Sequence, residues 1–494
     1  MRILYLDIDT LRPDHLGCYG YHRNTSPNID AFAKQGAVFD NVHASDTPCL
    51  PSRTALLTGR FGIHNGVVNH GGTDAEPVIR SIDRRFRSRL HADSFGMRLQ
   101  RAGLRTVSVS SFAQRHSAFF WYAGFDEGYN VGKAGMETAD EVHAIASDWL
   151  SRRGREDNWF LHVHMWDPHT PYRAAASYGE PFADDPMPGW LTEEIRERYW
   201  RGCGPHSAQE CNGFLPHEEF SRMFPRQPSQ IPDMAGVRKM FDGYDTGVFV
   251  ADDYVGRILG QLADLNVLDE TVVMLSSDHG ETLGELNVYG DHHTADQLTT
   301  RIPMILRWPG VTDELAGRRL SAFHYQIDFS ATMLELLEQK IPSQWDGHSF
   351  APELKAGRDE GRDHLIVSTG AWTCQRAARW DSWICIQTLH DGYHLYDDLM
   401  LFDIGTDPHE TVNLVEQNPE AREKGLALLG GWYGEMMADA ARGRDPLSHV
   451  IAEGGPFHVK GQLPAYLRRL RATDRSAYAD ALEQKYAAEL AVVP

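Results

Sequence analysis

Cys49-Leu50-Pro51-Ser52-Arg53 sets a thiol beside a proline and one helical turn ahead of an arginine, with Leu56, Leu57 and Gly59 following. Pro51 suits the first turn of a helix, Gly59 its stop, and the two leucines a buried face, so Cys49 is expected just before a helix N-terminus. Backbone N–H groups and the positive end of the dipole there favour negative charge on side chain 49, and Arg53 can reach back to it. Three other groups close apolar runs: Asp7/Asp9 in "ILYLDID", His164/Asp167 in "WFLHVHMWD" with His169 two residues on, and Asp278/His279 in "TVVMLSSDHG". Carboxylates from two strand ends would ligate a hard divalent cation, and alternation puts Asp7 and Asp9 on one face of their strand.

Such groups must be held by a sheet. Runs at 3–9, 106–111, 159–167, 271–280 and 303–308, with helical stretches between, predict an α/β protein built on a large, mostly parallel sheet flanked by helices. In open α/β sheets the ligand site lies beyond the carboxyl ends of the strands, so the three groups are expected to converge. Segment 236–265 has helical periodicity. Residues 1–358 are expected to form the catalytic α/β domain, with 173–235, rich in Pro, Gly and acidic residues, as an insertion or lid. A linker after about 356 leads to a smaller C-terminal α+β subdomain, 359–494. It should hold short antiparallel strands, a helix near 418–440 and a helical tail from 455 that packs on the domain or forms a subunit contact.

The formal charge of −21, from 69 acidic and 48 basic side chains, disfavours nucleic acid and anionic membranes as partners. An anionic substrate would need a local cation. No run approaches 18 apolar residues and the N-terminus enters a strand, so a cytoplasmic protein is expected. The six cysteines form no disulfide or zinc pattern; Cys203/Cys211 with His206 and His217 fits no familiar metal spacing.

The stretch Cys49 to Arg60 resembles the C-x-P-S-R-x-x-x-L-T-G-R signature of the type I sulfatases, in the alkaline phosphatase-like superfamily. "DTLRPDHLGCYGY", "WDPHTPY", "SDHGETLGE", "RIPMILRWPG" and "LFDIGTDPHETVNL" are similar to further blocks of that family in the same order. The resemblance implies that a separate formylglycine-generating or sulfatase-maturing enzyme oxidises Cys49 to formylglycine. Its hydrate, on a divalent metal, would attack sulfur to give a covalent sulfo-enzyme, and its second hydroxyl would then expel sulfate. Calcium is the metal the resemblance favours, with manganese or magnesium as alternatives.

By the same resemblance Asp9, Asp278, His279 and residue 49 hold the metal, and Arg53 holds the deprotonated diol. Thr10 stands where the family has a second Asp, so Asp7 is a candidate replacement. His169 would meet the sulfate or leaving oxygen. His292 stands where a lysine is expected and could donate a proton as imidazolium, with His293 beside it. A second family lysine is replaced by Ser110 and Ser111, with Arg115 and His116 nearby. Asn69, Ser111 and His293 are the candidate substrate-binding residues. The implied activity is sulfuric ester hydrolysis of a small-molecule or saccharide sulfate. Phosphonate monoester or phosphodiester hydrolysis is the alternative, an unmodified ligand-binding protein is a third reading, and a homo-oligomer is left open.

Overall fold

A computed structural model describes residues 1–78, 89–215, 222–440 and 443–490. In chain order its strands are β1 (Arg2–Ile8), β2 (Ala37–His43), β3 (Asp46–Thr47), β4 (Arg105–Val109), β5 (Glu127–Tyr129), β6 (Trp159–Met165), β7 (Thr271–Ser276), β8 (Thr282–Leu283), β9 (Tyr289–Asp291), β10 (Arg301–Arg307), β11 (Arg319–Tyr325), β12 (Leu365–Thr369), β13 (Cys374–Trp380), β14 (Trp383–His390) and β15 (Leu399–Asp403). Eight of them form the main sheet in the order β11-β2-β10-β7-β1-β6-β4-β5. β10 is antiparallel to both neighbours and every other pairing is parallel, which makes the protein a mostly parallel α/β fold.

Burial on both faces explains the unbroken apolar runs. Along β1, Leu4, Leu6 and Ile8 enter one core while Ile3 and Tyr5 enter the other. The first core is covered by the helices Ala139–Arg153 and Met234–Asp264, the second of which turns Val248, Val255, Ile258 and Leu262 inward. Register aligns Asp7 with His164 of β6 on one side and with Ser276 of β7 on the other, so the residues just beyond these strands leave the sheet at one edge. Asp167 takes no part there: its Oδ2 accepts the Ala139 N–H at 3.1 Å and caps a helix.

The smaller sheet runs β15-β14-β13-β12-β3 and is antiparallel except where β3 joins β12. Since β3 ends two residues before Cys49, this sheet draws one strand from the N-terminal region, across the boundary expected at 358. The helix Pro419–Ala438 packs on it. In the tail, the helices Leu463–Ala472 and Ser476–Lys485 bury Tyr466, Leu467, Leu470 and Leu482 against Tyr393 and Cys203, so the tail packs on its own chain. Among the described residues no helix is long and apolar enough to cross a membrane.

Candidate active site

Cys49 is the first residue of the helix Cys49–Thr58 and is 1% exposed. The helix thus begins slightly earlier than Pro51 suggests, and Gly59 ends it in left-handed backbone at φ 64°. Ser52 fastens it to the end of β7, its hydroxyl donating to the Asp278 carbonyl at 2.7 Å. Beside the thiol stand Asp9, Asp278 and His279, whose ligating atoms lie with Sγ within 4.8 Å of one another. His279 Nε2 is 3.1 Å from Sγ. Burial, then the charges of Asp9 and Asp278, push the Cys49 thiol well above its ordinary range.

Arg53 runs beneath this group instead of turning back to Cys49. It donates to Asp7, to Asp9 Oδ2 at 3.0 Å, and lies 3.2 Å from Asp278 Oδ2 and 2.8 Å from His164 Nε2. Asp7 is held between Arg53 and His162, with His162 Nε2 at 2.9 Å, and stands outside the four-residue ligand group. The expectation that Asp7 replaces the missing ligand at Thr10 therefore has a competing occupant: Asp7 neutralises Arg53. Thr10 contributes its backbone N–H to Asp278 Oδ1 at 3.3 Å.

Behind the carboxylates lies a relay legible in the sequence but not read there. Asp7 and Asp9 on β1 and just past its end, His162 and His164 on β6, and Ser108 and Ser110 on and after β4 repeat with period two on adjacent strands. His164 Nε2 meets Asp9 Oδ2 at 3.1 Å and its Nδ1 meets Ser110 Oγ at 2.8 Å; His162 bridges Asp7 and Ser108 in the same way, with 3.0 Å to Ser108. Alternation forces such a row once the strands are in register.

The donor set fits a divalent cation. Burial, then the charge of Asp278, hold the Asp9 carboxyl well above the usual carboxylate range, and Asp9 Oδ1 has no hydrogen-bond partner. A cation among Asp9, Asp278, His279 and residue 49 would relieve both.

Above Cys49 opens a cleft of about 890 Å³. His169 and His292 line it, their rings 5.5 Å apart. His169 Nδ1 is tied to the Thr170 carbonyl, which leaves Nε2 toward the cleft. His292 lies 3.5 Å from Glu281 and 3.6 Å from Asp291. Burial, then crowding by His279, His169 and His70, push His292 well below its ordinary value, so this site disfavours its charged form, where a lysine would keep its charge. The one Lys or Arg among the described lining residues is Arg115, stacked 5.0 Å from the Trp166 ring.

The three candidate substrate-binding residues are not among those lining the cleft. Ser111 donates to Glu137 and accepts from Trp166 Nε1 at 2.9 Å and Gly135 N at 3.1 Å, deep under the helix Phe112–Arg115. Asn69 shapes a turn, accepting from His70 N at 3.0 Å and Phe457 N at 3.2 Å and donating to the Thr73 carbonyl at 3.1 Å. His293 is fully buried beside His394. In their place the cleft is met by Arg115 and His116, one helical turn beyond Ser111, by His70, and by Phe457 and His458 of the tail. His206, Cys211, Asn212, Phe214, Leu215 and Gln227 of the expected insertion line it as well. Cys203 and Cys211 direct their thiols at the carbonyls of Tyr393 and Ser207, both at 3.7 Å, and His217 lies outside the described residues.

The family model described as Sulfatase matches residues 2–339, and that of the N-sulphoglucosamine sulphohydrolase C-terminal region matches 284–424. The chain is 22% identical over 480 residues to an N-acetylglucosamine-6-O-sulfatase of Bacteroides thetaiotaomicron, covering 85% of this chain and 84% of that protein. It is 24% identical over 461 residues to the multifunctional alkaline phosphatase superfamily protein PehA of Trinickia caryophylli, covering 79% and 85%. A solved structure of a protein with its substrate D-glucosamine-2-N,6-O-disulfate shares the fold at TM-score 0.69 and 20% identity, over 90% of this chain and 99% of that one. The phosphonate monoester hydrolase of Agrobacterium radiobacter shares it at 0.65 and 18%, over 90% and 96%. With two thirds of its length matched by the family model and Cys49, Arg53, Asp9, Asp278 and His279 gathered at the carboxyl edge of the sheet, the chain belongs to the sulfatase family, the hydrolases of sulfuric esters.

Proposed function

We propose that this sulfatase cleaves a sulfate ester of a saccharide, using a formylglycine made from Cys49 and a calcium ion held by Asp9, Asp278, His279 and residue 49. The observation that carries the reading is the buried meeting of those four residues at the floor of the 890 Å³ cleft. When present, the hydrated formylglycine would supply an oxygen nucleophile and the cation would lower its pKa. The chain's own residues do the rest. Arg53 fixes Asp9 and Asp278 against each other's charge, Ser52 locks the helix start onto β7, and His169 and His292 are placed to hydrogen-bond the ester oxygens. Arg115 supplies the lasting positive charge.

Charge also bounds the substrate. A single arginine among neutral imidazoles suits a monoanionic group better than a dianionic phosphate monoester. Sulfate esters, phosphonate monoesters and phosphodiesters all carry one negative charge, so the phosphonate reading is a real competitor; the match to the sulfatase family favours sulfate. The exposed ring of Phe457 offers an apolar face on which a sugar can pack, and both the N-acetylglucosamine-6-O-sulfatase and the substrate-bound neighbour named above act on or hold sulfated glucosamines. The six unpaired cysteines accord with a reducing compartment such as the cytoplasm.

The deciding experiment expresses the chain with a sulfatase-maturing enzyme, confirms by mass spectrometry that residue 49 carries an aldehyde oxygen in place of sulfur, and compares sulfated glucosamines, aryl sulfates, phenyl phosphonates and bis-aryl phosphates. The expected result is fastest turnover, with release of inorganic sulfate, on a sulfated saccharide. Faster turnover of phosphonates than of every sulfate by the fully converted enzyme would overturn the reading.

A further inference from the structure

Asp291 ends β9, and His292 and His293 follow it directly. His292 turns toward the floor of the cleft, its Nε2 still 3.6 Å from Asp291 Oδ1, while Asp291 and His293 also meet His206 in the wall. There His206 Nε2 lies 3.2 Å from Asp291 Oδ2, and His293 Nε2 lies 3.6 Å from Asp291 Oδ1. One ligating atom from each of the three residues lies within 4.8 Å of the other two.

The geometry points to a second cation site: we propose that His206, Asp291 and His293 bind a first-row transition metal of the zinc class, with an open position facing the cleft. Two imidazole nitrogens and one carboxylate oxygen are the donor types such ions prefer over calcium. Ligands about 2.0–2.1 Å from a tetrahedral centre stand about 3.3 Å apart, which brackets with the contacts to Asp291 found here. His293 Nε2 is fully buried and has no hydrogen-bond partner. Its ring is fixed by His394 Nε2 at 3.1 Å from Nδ1 and by stacking on Trp372 at 4.3 Å, an arrangement that orients a ligand nitrogen. Among the described residues Asp291 has only imidazoles as ion-pair partners. Next to His206, a Cβ at Gly213 would come within 2.7 Å of Nε2, so the glycine keeps that approach clear. His206 and Asp291 both line the cleft, which leaves the fourth coordination position to water or to an oxygen of whatever fills it.

The test uses the full chain stripped with chelator and titrated with Zn2+, with Co2+ absorption as a second probe. Wild type is expected to bind one more tight equivalent than His206→Ala, and Asp278→Asn, which alters the floor site, is expected to keep the wall equivalent with its Co2+ spectrum. His293→Ala should weaken Zn2+ binding at the wall at least about 10-fold; should it fail to fold, His206→Ala, on a partly exposed loop, still decides. Equal Zn2+ stoichiometry and affinity in wild type and His206→Ala would overturn the proposal, as would loss of every tight equivalent in Asp278→Asn.

Discussion

At the floor of the cleft, Asp7, Asp9 and Asp278 leave adjacent strand ends and meet a single arginine, Arg53, all of them at most 1% exposed. In the wall, His70, Arg115, His206 and His458 arrive from four separate connections and are held mostly by other rings, as in the 2.9 Å contact of His70 with His458 and the 4.5 Å stack of Trp372 on His458. The floor is fixed by sheet register, so moving one carboxylate means moving a central strand. The wall rests on loops and a tail whose backbone is free of the sheet, so its side chains can change without cost to the core. Reaction chemistry and choice of substrate are thereby placed on differently constrained parts of one chain.

The sharpest way to break the floor is Cys49→Ala. It should lower kcat at least about 10³-fold while thermal unfolding moves little, because one small buried side chain is exchanged for another. Arg53→Ala should act on both counts: three buried carboxylates lose their shared cation, which costs about 3–5 kcal/mol in urea unfolding of the metal-free protein, and turnover disappears. Arg53→Lys should not rescue it, since one ammonium cannot span Asp7, Asp9 and Asp278 together.

A change in the wall should read out differently. Arg115→Ala removes a charge-assisted contact of about 1.5–3 kcal/mol, so KM should rise about 10–100-fold with a much smaller change in kcat. Steady-state kinetics on one sulfate ester at fixed salt separates the two. Equal losses in kcat and kcat/KM would show that Arg115 belongs with the floor.

The same contrast governs what could be read from sequence. Strand-borne groups were legible: Asp9, Asp278 and His279 were expected to converge because each ends an apolar run, and they do. The pairing of Asp7 with Arg53 was not, because period two fixes only the face of a strand and leaves open which neighbour a carboxylate meets. Asp7/Asp9, His162/His164 and Ser108/Ser110 share one spacing, and that common period was the available signal for the relay. In the wall, spacing carries no such rule. Ser111 aligns with a family lysine yet lies under its own helix, while Arg115, one turn on, reaches the cleft. His458 comes from a tail hundreds of residues away, by packing that no local pattern encodes.

Asn69 gives the smallest and most discriminating effect. Its expected place among the substrate-binding residues predicts a kinetic residue, while its contacts predict a structural one. Oδ1 accepts two backbone N–H groups, of His70 and of Phe457, and so ties the loop after residue 65 to the tail. In Asn69→Ala both N–H groups lose a partner in a half-buried place, which costs about 1–2 kcal/mol of stability. On a small aryl sulfate, which needs only the floor and Arg115, kcat/KM should change less than about threefold. On a saccharide it should fall further, since Phe457 and His458 then lose their anchor. Asn69→Asp keeps both acceptor contacts but sets a carboxylate oxygen against the Thr73 carbonyl, so it should recover only part of the stability. If Asn69→Ala instead lowered kcat/KM about equally on both substrates with unfolding unchanged, side chain 69 would reach the sulfate group itself, and the division between floor and wall would have to be redrawn to include it.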